Sequence, residues 1–185
     1  LLLHNIDFFK FFKKKIIITG YKRFQLEKIT KKIGFQNIFN KKYSSTNMVY
    51  SLFLAKKNIK NDVVIVYGDV IFNKNLYNLI KPKKNILPIN SNWLKNWKKR
   101  MPFKKVLNDA ENLVIKNNYL LEIGTKINKN KLPKYQFMGI IKLKKKIFLR
   151  CHKFFKRLNN KKIDMTSFLN LCIENKVIDL ETKKY

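Results

Sequence analysis

Residues 61–72 constrain this chain more than any other stretch: Asn61-Asp62-Val63-Val64-Ile65-Val66-Tyr67-Gly68-Asp69-Val70-Ile71-Phe72. A polar pair opens it, an apolar and β-branched run follows, and Gly68-Asp69 breaks it. An unbroken apolar run of this kind predicts a strand buried on both faces, as in the centre of a parallel sheet. The carboxyl ends of such strands are where open α/β sheets bind ligands. Asp69 sits at that end, beside a glycine that lets the backbone approach a ligand closely. A carboxylate there suits a hard divalent cation such as Mg2+, which takes oxygen ligands and bridges to phosphate. Gly68-Asp69 also reads as a plain turn.

The residues before this stretch alternate in period. Residues 1–13 have helical spacing through Leu2, Leu3, Ile6, Phe9 and Phe12, and 15–19 form a short apolar strand that Gly20 and Tyr21 break. Residues 22–33 are helical, with Phe24, Ile29 and Ile33 on the apolar face, and Gly34 ends them. A strand at 35–39 and a polar loop at 40–46 follow. A helix at 47–57 then turns Met48, Leu52 and Ala55 inward, and another covers about 74–80 after the strand that ends at Asp69. Helix and strand in alternation imply right-handed βαβ crossovers and a mostly parallel sheet.

The second half has a different texture. A strand is predicted at 85–90, then a short helix capped by Ser91 that carries Trp93 and Trp97 four residues apart and ends before Pro102. Residues 113–115 and 119–123 flank Lys116-Asn117-Asn118, a hairpin signal. A strand at 136–143 contains Gly139, which marks a close approach of backbone or ligand. A basic helix spans about 144–157, Asp164 caps a helix over 165–174, and 177–180 forms a last strand.

The 185 residues, 45% of them hydrophobic, suffice for one domain, 1–185, with a real core. Cys151 and Cys172 belong to no CxxC pair or Cys/His cluster, which argues against a zinc site or disulfide scaffold and fits a reducing cytoplasm. His4 and His152 have no hydrolase-type partner pattern. The start, Leu1-Leu2-Leu3-His4-Asn5, lacks the parts of a signal peptide, and no apolar run approaches the roughly 18–20 residues of a membrane span.

Lys and Arg number 42 against 11 Asp and Glu, a formal charge of +31. A non-enzymatic, basic nucleic-acid-binding module is therefore the alternative function. Against it, the lysines are spread along the chain, and arginine occurs only at Arg23, Arg100, Arg150 and Arg157. Base readout and bidentate phosphate contacts favour arginine. Lys, Asn, Ile and Phe all have A/T-rich codons, and a strong A/T bias in the coding DNA would produce this composition without selection for polyanion binding.

Several segments in order carry a family resemblance. Ile16-Ile17-Ile18-Thr19-Gly20-Tyr21-Lys22, Asn47-Met48-Val49-Tyr50-Ser51-Leu52 and Val66-Tyr67-Gly68-Asp69-Val70-Ile71-Phe72 resemble the sugar-phosphate nucleotidyltransferase superfamily. Asn92-Trp93 with Trp97 and Arg100, Asp109-Ala110-Glu111, Glu122-Ile123-Gly124, Gln136-Phe137-Met138-Gly139 and Asp164-Met165-Thr166 resemble its cytidylyltransferase branch acting on phosphocholine or related phospho-amines. The resemblance implies a Rossmann-like, three-layer α/β/α domain of GT-A-like type, its mostly parallel sheet carrying an antiparallel insertion. It implies a reaction in which a phosphomonoester attacks the α-phosphate of a nucleoside triphosphate, CTP in this branch, and releases pyrophosphate. Residues 1–80 would hold nucleotide and metal, and 81–185 the acceptor.

By the same resemblance Asp69 is a Mg2+ ligand, with Gly20, Tyr21, Asn47, Ser51 and Gly68 around the nucleotide. Trp93, Trp97, Arg100, Asp109, Glu111 and Gly139 border the acceptor. Aromatic faces and carboxylates suit a quaternary ammonium, and an arginine suits its phosphate. The two tryptophans read equally as core, and Asp109 and Glu111 as ordinary charges paired with lysines.

The sequence also departs from the family pattern. The first strand and glycine-rich phosphate loop of the superfamily are missing from these residues, and so is a second metal-binding aspartate near the C-terminus. Asp179 lies near that place in a different context. From this the chain on its own is expected to have little or no transferase activity.

Overall fold

The computed structural model describes residues 1–128 and 132–185. It is an α/β fold in which β1 (Lys15–Thr19), α2 (Arg23–Lys32) and β2 (Phe35–Phe39) form one parallel βαβ unit. A larger sheet has the order β3-β8-β4-β9-β6-β5, with β7 on β4. Its strands are β3 (Val63–Val66), β4 (Ile86–Asn90), β5 (Glu111–Lys116), β6 (Tyr119–Lys126), β7 (Gln136–Phe137), β8 (Ile140–Leu143) and β9 (Glu181–Lys184). β4 and β9 pair in parallel, and β8 lies antiparallel between β3 and β4, so β3, β4 and β9 run the same way. β5 and β6 form an antiparallel hairpin whose turn puts Asn117 and Asn118 at φ of 51° and 63°. Asparagine tolerates that conformation better than most residues.

Successive side chains of a strand point to opposite faces, and the core splits accordingly. Ile86 and Ile140 join one apolar cluster with Phe8, Phe9, Phe72 and Leu76, under α1 (Ile6–Phe9) and α4 (Leu76–Ile80). Leu87 and Ile141, one residue on, join the other with Phe53, Phe148 and Phe168. That second face is covered by α3 (Met48–Leu54), α7 (Lys145–Leu158) and α8 (Met165–Glu174). Three layers result. Among the described residues no helix is long and apolar enough to cross a membrane.

Several local expectations need correction. The strand expected to end at Asp69 is shorter, Val63–Val66, and half-buried rather than enclosed, because among the described residues β8 is its one strand neighbour. The first helix is a 3-10 turn at Leu2–Asn5 followed by α1. On α2, Phe24 is 71% exposed and lies under the Arg23 guanidinium, while Thr30 is buried and donates to Asn37. Ala55, at the end of α3, is buried as expected, but the other inward residues are Val49 and Phe53; Met48 is exposed and Leu52 half-buried. Asn92, not Ser91, precedes α5 (Trp93–Lys98), and Pro102 opens a further helix, α6 (Phe103–Asp109). Proline fits there because a helix's first N–H groups lack partners in any case. The last strand is the polar β9, not 177–180.

Candidate active site

Tyr67 follows β3 directly and its backbone N–H donates to the Gly139 carbonyl at 2.9 Å, which ties the end of β3 to the start of β8. Gly139 has φ of +73°, and a Cβ there would meet the Tyr67 ring at 2.9 Å. Glycine is thus required twice over, by the backbone and by the ring that occupies the space. Phe137 meets the same ring edge-on at 5.6 Å. The Tyr67 phenol is held protonated, first by burial and then by the negative charges of Glu111, Asp164 and Asp69. Three of the chain's few carboxylates therefore act on one phenol through their charge.

Glu111 begins β5. The Gln136 side chain fixes its backbone, Nε2 donating to the Glu111 carbonyl at 2.6 Å and Oε1 accepting from its N–H at 3.4 Å. The carboxylate lies 3.0 Å from the Thr166 hydroxyl, and the same hydroxyl lies 3.0 Å from Asp164. Asp164 caps α8 by accepting from the Ser167 backbone at 2.9 Å and hydroxyl at 2.7 Å. Burial pushes Asp164 up, but the bonds from Ser167 and Thr166 outweigh it and leave the carboxyl below its ordinary value. Glu111 goes the other way: burial raises it, Thr166 offsets part, and Asp164 adds to the rise. One hydroxyl proton cannot serve two carboxylates at once, so the pair settles with Asp164 ionised and Glu111 the readier to take a proton. Gly124, at φ of +84°, gives Thr166 its place; a Cβ there would meet Thr166 Cβ at 2.8 Å.

Asp69 stands with Gly68 in the exposed turn after β3, and among the described residues no hydrogen bond or ion pair engages its carboxylate. Nothing lies within 4 Å of where a Gly68 Cβ would be, so that glycine borders open space. Gly20 and Tyr21 end β1. A Cβ on Gly20 would meet Tyr43 at 2.8 Å, and Tyr21 is exposed with Lys22 over its ring. Asn47 and Ser51 are occupied internally. Asn47 caps α3 at 2.7 Å and donates to the Lys162 carbonyl at 3.2 Å, while Ser51 accepts from Asn40 at 3.0 Å.

The two tryptophans divide. Trp93 is 2% exposed, donates to the Pro133 carbonyl at 3.1 Å and fills a small cluster with Val106 and Ala110. Trp97 meets it edge-on at 5.4 Å and is half-buried, with the exposed Arg100 guanidinium 5.9 Å from its ring. Asp109 ends α6 and is exposed, apart from the Glu111 cluster. Gly139 is thus held against Tyr67, and Glu111 against Gln136 and Thr166. Tyr67, Gln136, Asp164 and Thr166 join them although none was among the candidate residues. Tyr67, directly before Gly68-Asp69, and the Asp164 and Thr166 segment were the signals available in the sequence.

No protein-family model matches the chain. It is 31% identical over 176 residues to the CTP:phosphoglutamine cytidylyltransferase of Campylobacter jejuni, covering 85% of this chain and 69% of that protein. It is 39% identical over 67 residues to the choline-phosphate cytidylyltransferase of Haemophilus influenzae, a match to 36% of this chain and 28% of that one. Among solved structures, the inositol-1-phosphate CTP transferase of Thermotoga maritima superposes with a TM-score of 0.74 at 14% identity, covering 99% of this chain and 71% of its own. The CTP:phosphocholine cytidylyltransferase of Streptococcus pneumoniae gives 0.66 at 18%, covering 99% and 75%. The structures speak for the fold, the Campylobacter relative for the family: this chain belongs to the sugar-phosphate nucleotidyltransferase superfamily, in its phosphocholine-like cytidylyltransferase branch.

Proposed function

We propose that the chain transfers CMP from CTP to a phosphomonoester whose other end carries an ammonium group. The observation that supports this is the pairing of Glu111 and Asp164 through the Thr166 hydroxyl in a chain of net charge +31. Carboxylates gathered in one place of so basic a protein offer a cation a distinctive site. Residues 1–80 contribute the nucleotide side and 81–185 the acceptor side, joined at the Tyr67–Gly139 bond.

The acceptor phosphate attacks the α-phosphorus of CTP, the bond to the β-phosphate breaks, and pyrophosphate leaves. No protein nucleophile is needed, so the catalytic work is positioning and neutralisation of charge. Arg100, exposed and without a carboxylate partner among the described residues, holds the acceptor phosphate in bidentate fashion. Trp97 offers its exposed face to the cationic end, and Glu111 and Asp164 compensate its charge. Gly20, Tyr21, Gly68, Asn47 and Ser51 frame the nucleotide.

Asp69 fits a divalent cation as one ligand of several. Its carboxylate is unengaged and exposed, but among the described residues no group of three His, Cys, Asp or Glu could cage an ion. Mg2+ suits such a site, since it keeps waters and takes substrate phosphates alongside one or two carboxylates. When bound it would neutralise charge on the triphosphate. The two free cysteines suit a cytoplasmic setting.

The test is a comparison of acceptors with CTP and Mg2+ present: phosphocholine, phosphoethanolamine and inositol 1-phosphate, read by calorimetry and by release of pyrophosphate. The cationic acceptors are expected to bind about tenfold or more tighter than inositol 1-phosphate, and Glu111→Gln to erase the difference. Equal binding of all three would contradict the assignment of the acceptor.

A further inference from the structure

Asn5 ends the 3-10 turn at Leu2–Asn5 and directly precedes α1. An asparagine there ordinarily caps the helix with its side chain. Asn5 makes no such bond. Its side chain, in a residue 3% exposed, turns instead to a segment 65 residues away in the chain. Nδ2 donates to the Val70 carbonyl at 2.7 Å, and Oδ1 accepts from the Phe72 N–H at 3.3 Å. Phe72 is buried, its ring edge-on to that of Phe8 at 4.7 Å. The next N–H, of Asn73, donates to the Tyr185 hydroxyl at 2.7 Å. Tyr185 follows β9 and is tied to β4, its own N–H donating to the Ile89 carbonyl at 2.9 Å. Residues 70–73 belong to no helix or strand. A segment without a ladder of its own must find partners elsewhere for its backbone groups. Here two side chains from remote parts of the chain supply them, directly behind the Gly68-Asp69 turn. In front of that turn stands the Tyr67–Gly139 bond. The turn is thus held at both ends, while among the described residues nothing engages the Asp69 carboxylate itself.

We propose that Asn5 and Tyr185 are positioning residues for Asp69. They fix the backbone that carries its carboxylate, so that the divalent cation of the nucleotide meets a ligand already in place. This role presupposes the reading of Asp69 as a ligand of that cation. Groups that orient a metal ligand without touching the metal are part of its site, and their loss typically lowers metal affinity by about 10–100-fold.

Calorimetric titration of CTP with and without Mg2+ reads the metal-dependent part of binding. Asn5→Leu keeps the size of the side chain and removes both of its bonds. Tyr185→Phe removes one hydroxyl from an exposed side chain and should fold as the wild type does; should Asn5→Leu fail to fold, Tyr185→Phe decides for the pair. Each substitution is expected to weaken CTP binding about tenfold with Mg2+ and to leave it unchanged without. In an Asp69→Ala background neither should weaken it further, since the group they position is gone. Wild-type affinity in these variants, with Asp69→Ala impaired, would overturn the proposal and leave the reading of Asp69 intact. An equal loss with and without Mg2+, or a further loss on top of Asp69→Ala, would overturn it as well, by showing a general effect on the fold. Wild-type binding that ignores Mg2+, or Asp69→Ala that binds as the wild type does, would overturn the reading of Asp69 and the proposal with it.

Discussion

The Thr166 hydroxyl sits midway between two carboxylates, 3.0 Å from Glu111 and 3.0 Å from Asp164, and so couples the start of α8 to the start of β5. Removing the hydroxyl without changing the side chain's shape leaves both carboxylates facing each other. Thr166→Val is therefore expected to destabilise the chain by about 1–3 kcal/mol, the cost of an unsatisfied half-buried polar group. Thermal unfolding should register a fall of roughly 2–4 °C per kcal/mol in a chain of this size. An unchanged midpoint would mean that water replaces the hydroxyl fully.

Glu111 and Asp164 respond to pH in opposite senses. The Glu111 carboxyl titrates above its ordinary 4.5, chiefly through burial. Its contribution to stability is complete below that ordinary value and is lost as pH rises through the raised one. Asp164 titrates below its ordinary 3.8, so its contribution is present above that value and lost as pH falls through the lowered one. Glu111→Gln should therefore gain on the wild type between pH 4.5 and 7.5 in urea unfolding, and Asp164→Asn should not. Binding of a cationic acceptor needs the carboxylate form, so its affinity should fall with decreasing pH through the raised Glu111 value. In Glu111→Gln that part of the profile should be flat.

Two glycines of the site give opposite expectations. Gly139→Ala puts a Cβ 2.9 Å from the Tyr67 ring on a backbone at φ of +73°. The left-handed conformation alone costs a non-glycine residue about 1–2 kcal/mol, and displacement of Tyr67 adds to it. Gly68→Ala meets nothing within 4 Å and should leave the unfolding curve in place. A loss of CTP affinity in Gly68→Ala at unchanged stability would then come from the ligand, not from the fold.

Trp93 and Trp97 separate by the same logic. Trp93→Ala empties a buried site and should cost about 3–5 kcal/mol, as large-to-small core changes do. Trp97→Ala removes a half-exposed ring and should cost less stability while raising the KM for a cationic acceptor. Denaturation curves and acceptor kinetics on the two variants, measured side by side, check both halves.

The fold was legible where period and charge agree. β1, β2, β4 and α8 with its Asp164 cap lie where apolar runs and a capping residue placed them. Tertiary contacts decided the rest. β9 is Glu-Thr-Lys-Lys, which no hydrophobic pattern marks, yet it pairs with β4 and β6. It sits inside the sheet because Lys84 and Lys183 flank the Glu181 carboxylate at 2.6 and 2.5 Å. Phe24 looked like core and is exposed, because Arg23 covers its ring and Thr30 takes the inner position on α2. Of the candidate residues, Gly139 packs on Tyr67, and that contact could not be read from the sequence, since it depends on β8 lying antiparallel beside β3.

The most direct test is calorimetric titration of CTP with Mg2+ into the chain and into Asp69→Ala, at moderate salt, with ATP as control. Asp69 is exposed and unengaged, so the variant should fold as the wild type does. The predicted result is Mg2+-dependent binding that prefers CTP to ATP and is lost, by about tenfold or more, in Asp69→Ala. Binding that is equal for both nucleotides, indifferent to Asp69 and abolished by added salt would contradict it, and would assign the interaction to the net charge of +31 alone.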